Sequence, residues 1–141
     1  MLRFLRSVLE VFGIVFLRFR PLPRIWCVWL VGVNLGCLFF LGHVEAQMVL
    51  GVTALAVVAQ TLIYMRLGFT RVLGTTHLLW LPMFAWMAFR LDTIVVYPEM
   101  SRWLAVLLAT NAVSLMVDAT DAFRFVKGER DPHYAWRLAG F

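Results

Sequence analysis

The sequence predicts an all-α integral membrane protein. It reads as a four-transmembrane-helix bundle with an N-terminal amphipathic interfacial helix and both termini cytoplasmic. Three observations predict this. First, 62% of the 141 residues are hydrophobic and only 15% are charged, whereas soluble domains carry roughly a quarter charged residues. Second, four apolar runs are each close to the length a membrane helix needs. Third, the basic residues fall almost entirely on one side of a four-span topology.

The first element is MLRFLRSVLEVFGIVFLRFR. On a helix, Arg3, Arg6, Ser7 and Glu10 share one face while Phe4, Leu5, Val8, Leu9, Phe12, Val15 and Phe16 fill the rest, the pattern of a helix lying in the membrane surface. Its apolar core from Val11 to Leu17 is too short to span. No small-x-small site follows it, so it is expected to be retained and not cleaved as a signal. The PLP at 21–23 is expected to break this helix, giving an interfacial unit over 1–22.

The bundle then occupies 23–125, with spans at about 25–41, 48–65, 72–89 and 103–120. Short polar connections, GHVEAQ, RLGFTR and RLDTIVVYPEMSR, separate them. With four spans, Arg3, Arg6, Arg18, Arg20, Arg24, Arg66, Arg71, Arg124, Lys127, Arg130 and Arg137 share one side, and only Arg90 and Arg102 lie on the other. Basic loops stay cytoplasmic, so both termini are assigned there and the chain to a cell membrane, by general likeness a bacterial inner membrane. Residues 126–141 form a basic aromatic cytoplasmic tail; its Tyr134, Trp136 and Phe141, with Phe123 and Phe125 just before it, suit the headgroup layer.

Polar residues inside the spans are the candidate site. In NAVSLMVDATD, Asn111, Ser114 and Asp118 fall in one narrow helical sector with Asp121 nearby. A carboxylate near hydrocarbon is costly unless partnered or hydrated, so this stripe should face protein or water. A rise of about 1.5 Å per residue sets Asn34 beside Asn111 near the midplane, and Gln60, His77 and Asp118 near the cytoplasmic boundary. The expectation is one intramembrane polar cluster of Asn34, Gln60, Tyr64, His77, Asn111, Ser114 and Asp118. Such groups either bond neighbouring helices or form a proton relay, for which a histidine beside an aspartate is suited.

Asp118 and Asp121, three apart, are a possible cation contact. His43 and Glu45 alternate in a short turn but lack further ligands, so no metal site is expected. His43 and His77 sit near opposite membrane surfaces and cannot share a haem iron. Cys27 and Cys37, ten positions apart, lie on different faces and do not bridge. Pro82 is expected to kink the third span by freeing the carbonyl of Leu78. Gly32 with Gly36, and Ala105 with Ala109, are small-xxx-small pairs expected to pack spans one and four together, or else to receive a second copy or a foreign helix.

No nucleophile elbow, two-histidine zinc helix or phosphate-cradling glycine loop is present, so no catalytic residue or cofactor is expected. Nor does the +5 charge form the alternating basic patch that nucleic acid requires. Two functions lead, and a lipid-acting or quinone-linked enzyme using the same cluster and the two aspartates has the least support. One is a non-enzymatic accessory, scaffold or regulatory subunit whose partners are the bilayer and either its own copies or a larger membrane protein. The other is a small proton- or cation-linked transporter or channel component using the polar cluster.

Overall fold

A computed structural model describes residues 1–132 and 134, and these are helical throughout apart from turns and one isolated bridge between Phe69 and Tyr134. Of the aromatic tail, Trp136 and Phe141 lie outside the described residues. Among the described residues, three helices are long and apolar enough to cross a membrane, over Pro21–Phe40, Val44–Leu67 and Pro98–Val126.

Helix α1 spans Leu2–Gly13 and is extended by a π-helical turn, Ile14–Arg18, before Phe19 and Arg20 go extended. Part of its polar face is turned inward: Ser7 is buried and Glu10 half-buried, whereas Arg3, Arg6, Leu2, Leu5 and Leu9 are exposed. The break expected at the prolines comes just before them, at Phe19 and Arg20. Pro21 opens α2 (Pro21–Leu35) as its first residue, and Pro23 still lies in the first turn, where no N–H is needed. Arg24 secures the junction by donating from Nη2 to the carbonyls of Leu17 at 3.1 Å and Phe19 at 2.7 Å. A 3-10 segment, Gly36–Phe40, completes this crossing.

Helix α3 (Val44–Leu67) ends at Gly68, whose φ of 72° suits a residue without Cβ. The long helix α6 (Pro98–Val126) starts earlier than its apolar run, because Pro98 and Glu99 are favourable first-turn residues. It stops where Gly128 takes a φ of 112°. Between α3 and α6 lies the largest departure from expectation. Residues 72–89 are not one helix: Arg71–Leu79 is a 3-10 helix, Trp80–Ala88 is α4, and Leu91–Ile94 is the short α5.

Nine residues of 3-10 helix are unusual, since its hydrogen bonds are poorer than those of an α-helix. Local groups support it. Thr75 and Thr76 each donate a hydroxyl to the carbonyl three residues back, at 2.7 and 2.9 Å. The switch to α geometry comes at Trp80, two residues before Pro82, so proline sits within the first turn of a new helix and need not kink an old one. Three residues per turn also sort the segment into straight rows. Thr70, Leu73 and Thr76 form a buried row; Arg71, Gly74 and His77 form the next.

Packing divides the bundle lengthwise. The apolar core, including Cys37, Val49, Met83, Met87, Met100, Leu104 and Leu107, lies toward the end that carries the 41–43 and 89–97 turns. The polar contacts gather toward the end that carries the basic termini. Small side chains were expected to close the seam between α2 and α6, and only Gly36 does so. A Cβ there would lie 2.5 Å from Trp103 Nε1, and that indole donates to the carbonyl of Val33 at 2.9 Å. Gly32, Ala105 and Ala109 are exposed instead, which corrects the expected internal role of both small-residue pairs. The reason is that Trp29, Asn34 and Trp103 occupy the seam and turn those positions outward.

Candidate functional site

The stripe on α6 is the spine of the site. Asn111 is fully buried and donates from Nδ2 to Asn34 Oδ1 at 3.1 Å, while Asn34 Nδ2 donates to Asn111 Oδ1 at 2.9 Å and to Leu30 O. Beside this reciprocal pair, Trp29 Nε1 donates to Thr110 Oγ1 at 3.2 Å. Ser114 is buried one turn further along.

Next comes Asp118. His77 Nδ1 lies 2.7 Å from its Oδ2, and His77 Nε2 lies 3.0 Å from Gln60 Nε2. An ionised carboxylate only accepts, so the neutral tautomer with its proton on Nδ1 satisfies both contacts: it donates to Asp118 and accepts from the Gln60 amide. Trp80 stacks on the imidazole with centroids 4.2 Å apart and planes at 8°. The ring is thus held on both edges and one face. Gly74 lies directly against the Asp118 carboxylate, and a Cβ there would collide with it. Only glycine lets the 3-10 backbone come so close to α6.

Asp121 is the next member and binds Arg71, whose Nη1 lies 2.5 Å from Oδ1. Arg71 also reaches Glu129 Oε2 at 3.1 Å, and Arg124 holds the same carboxylate from Nε and Nη2 at 2.9 and 2.7 Å. Hydrogen bonding to Arg124, and after it the charge of Arg71, hold the Glu129 carboxyl below the usual glutamate range. Asp118 and Asp121, the expected cation contact, thus each face a basic side chain, His77 and Arg71 respectively. Among the described residues no group of three or more His, Cys, Asp or Glu is placed to hold a metal ion.

The expected single cluster is thus a ladder. Asn34, Asn111, Ser114, Asp118, His77 and Gln60 lie along it, but Tyr64 does not. Its hydroxyl donates to Glu10 Oε2 at 3.0 Å, tying α3 to α1. At the far end of the bundle, Glu45, 2% exposed, accepts from Arg90 Nε at 2.8 Å, and that guanidinium also lies over Trp86. His43 packs on Tyr97 instead of joining Glu45 in a ligand set. Cys27 and Cys37 are both free thiols.

Sequence reasoning missed Gly74, Arg71, Trp80 and the pairing of Glu45 with Arg90. The first two carry a signal only if residues 71–79 are read at a period of three, which places both in the row of His77. Glu45 and Arg90 offered opposite charges on two turns at one end, with nothing to pair them.

Chemically, the arrangement is a carboxylate–imidazole–amide chain joining three segments. Protonating His77 would put a second donor on Nε2, facing the Gln60 amino group. The amide must then turn to present its oxygen, so charge on the ring is coupled to the orientation of Gln60. Fold and site together define an all-helical protein with apolar helices of membrane-crossing length and a polar ladder between them. No protein-family model, curated protein or solved structure matches the chain.

Proposed function

We propose that this chain is a small, non-enzymatic membrane module, an accessory, scaffold or regulatory subunit that works through helix contacts with its own copies or a larger membrane protein. One observation carries the reading: Gly32, Ala105 and Ala109 face outward, with nothing within 4 Å of a methyl built at Gly32. Small outward positions let another helix approach closely. Gly32→Leu and Ala109→Leu, compared with wild type by gentle-detergent pull-down and in-membrane cross-linking, test it. Loss of an association with the fold intact supports the module; finding neither partner nor self-association overturns it.

The topology belongs to the same proposal: four crossings with both termini cytoplasmic, in a bacterial inner membrane. Its support is the charge bias together with the reach of residues 71–88. Nine residues rising about 2.0 Å and nine rising about 1.5 Å extend roughly 32 Å, the thickness of a hydrocarbon core. Reporter fusions at residues 69, 96 and 130 check it, and a 96 fusion on the side of the other two would overturn it.

A second reading is favoured by the chain from Asp118 through His77 to Gln60: a proton- or cation-linked transporter or channel component. Intramembrane carboxylate and imidazole groups on separate segments are the parts of a relay. If Asp118→Asn and His77→Gln leave pH-dependent flux in proteoliposomes at the wild-type level, this reading is lost.

A further inference from the structure

At the end of the bundle that carries the basic termini, α1 and the last turn of α3 border an open cavity of about 340 Å³ lined by Arg3, Arg6, Ser7, Glu10 and Tyr64, among others. Arg3, Arg6, Ser7 and Glu10 reach it together because they recur at intervals of three and four on one helical face. The single carboxylate among the described lining residues is already engaged on both oxygens. Glu10 Oε1 accepts from Arg6 Nε at 2.9 Å and Oε2 accepts from Tyr64 at 3.0 Å. Arg6 makes that contact through Nε, and its terminal amino groups, like the whole of Arg3, have no partner among the described residues. The cavity therefore presents a surplus of guanidinium donors.

We propose that this cavity binds the phosphate of a phospholipid headgroup. Guanidinium forks match phosphate oxygens in pairs, and two of them beside a buried serine make a cradle for one such anion. The lipid source is argued from the opposite face of the same helix. Leu2, Leu5 and Leu9 are 84%, 52% and 72% exposed, so seating them among acyl chains sets Arg3 and Arg6 at headgroup depth. The inference holds whichever role the bundle plays, since it concerns α1 and the end of α3 alone.

The test uses the full chain in nanodiscs of phosphatidylglycerol and phosphatidylcholine, released into mild detergent, with bound phospholipid counted by native mass spectrometry and ³¹P NMR. Arg3→Gln, which removes no internal contact, is expected to lower retention about tenfold, as loss of one charge-assisted bond implies. Arg3→Gln with Arg6→Gln is expected to abolish it. The charge-matched pair Arg20→Gln with Lys127→Gln should leave it unchanged. Equal loss in that control would mean diffuse attraction to an anionic surface and would overturn the site. If inorganic phosphate binds the delipidated protein and displaces lipid at equal concentration, the anion cradle stands but its lipid source is overturned. Retention unaffected by either arginine variant overturns both.

Discussion

His77 Nδ1 lies 2.7 Å from Asp118 Oδ2, although the two residues are 41 positions apart and belong to helices of different kinds. Both side chains are about 15% exposed, so the bond is largely shielded and its partners should be energetically coupled. A double-mutant cycle of His77→Gln and Asp118→Asn, read by SDS unfolding in mixed micelles, is expected to give a coupling on the order of 1 kcal/mol. Additive effects would mean that each group is solvated by itself.

Gly74 is where α6 and the 3-10 helix meet most closely, and the listener to any change there is the Asp118 carboxylate. Gly74→Ala is expected to destabilise the fold by about 1–3 kcal/mol, the ordinary range for overpacking. Gly51→Ala is the control, because nothing lies within 4 Å of a methyl built there, and alanine should stabilise α3 by up to roughly 1 kcal/mol. Thermal unfolding of both variants in detergent distinguishes a local collision from a general intolerance of alanine.

Asn34 and Asn111 satisfy one another in the seam between α2 and α6. Replacing one leaves the other amide buried without its partner, so Asn34→Leu or Asn111→Leu alone is expected to cost about 1–3 kcal/mol. The double Leu variant should cost less than either single change. A double variant that is worse than both would show that the pair is stabilising beyond its mutual satisfaction.

At the opposite end, Arg90 neutralises Glu45, whose side chain is 3% exposed while that of Arg90 is 33% exposed. Arg90→Ala strands a buried carboxylate. Water reaches the partly open guanidinium side, so the loss should fall below the full buried-pair range, at about 1–3 kcal/mol. Glu45→Gln combined with Arg90→Ala should recover part of it, measured by the same unfolding assay.

Glu129 supplies a pH dependence. Arg124 and then Arg71 lower its carboxyl pKa in the folded chain, so the contact is at full strength above the ordinary glutamate value of about 4.3. It is lost as pH falls through the lower folded value. NMR of the Arg124 and Arg71 guanidinium groups should show a transition in that acidic window, and Glu129→Gln should abolish it. Guanidinium titrations identical in wild type and Glu129→Gln would contradict the pairing.

Much of the architecture was legible in the residues. Apolar runs of membrane length and the shared face of Asn111, Ser114 and Asp118 follow from composition and the fixed 3.6-residue turn. Depth reckoning by helical rise also set Asn34 level with Asn111, and Gln60 level with His77 and Asp118. Those quantities depend on the covalent chain and its regular repeat, which need no partner to express themselves.

Only the tertiary structure decided how residues 71–79 are wound, and with that which side chains meet. At about 100° per residue Arg71 and His77 point to different sides, whereas at about 120° they align and both face α6. The 3-10 winding has the poorer backbone hydrogen bonds, so contact with Gln60, Asp118 and Asp121 is what favours it here. For the same reason Tyr64 goes to Glu10 and Glu45 to Arg90: each pairing depends on which helix stands alongside, a distance that no spacing within one helix encodes.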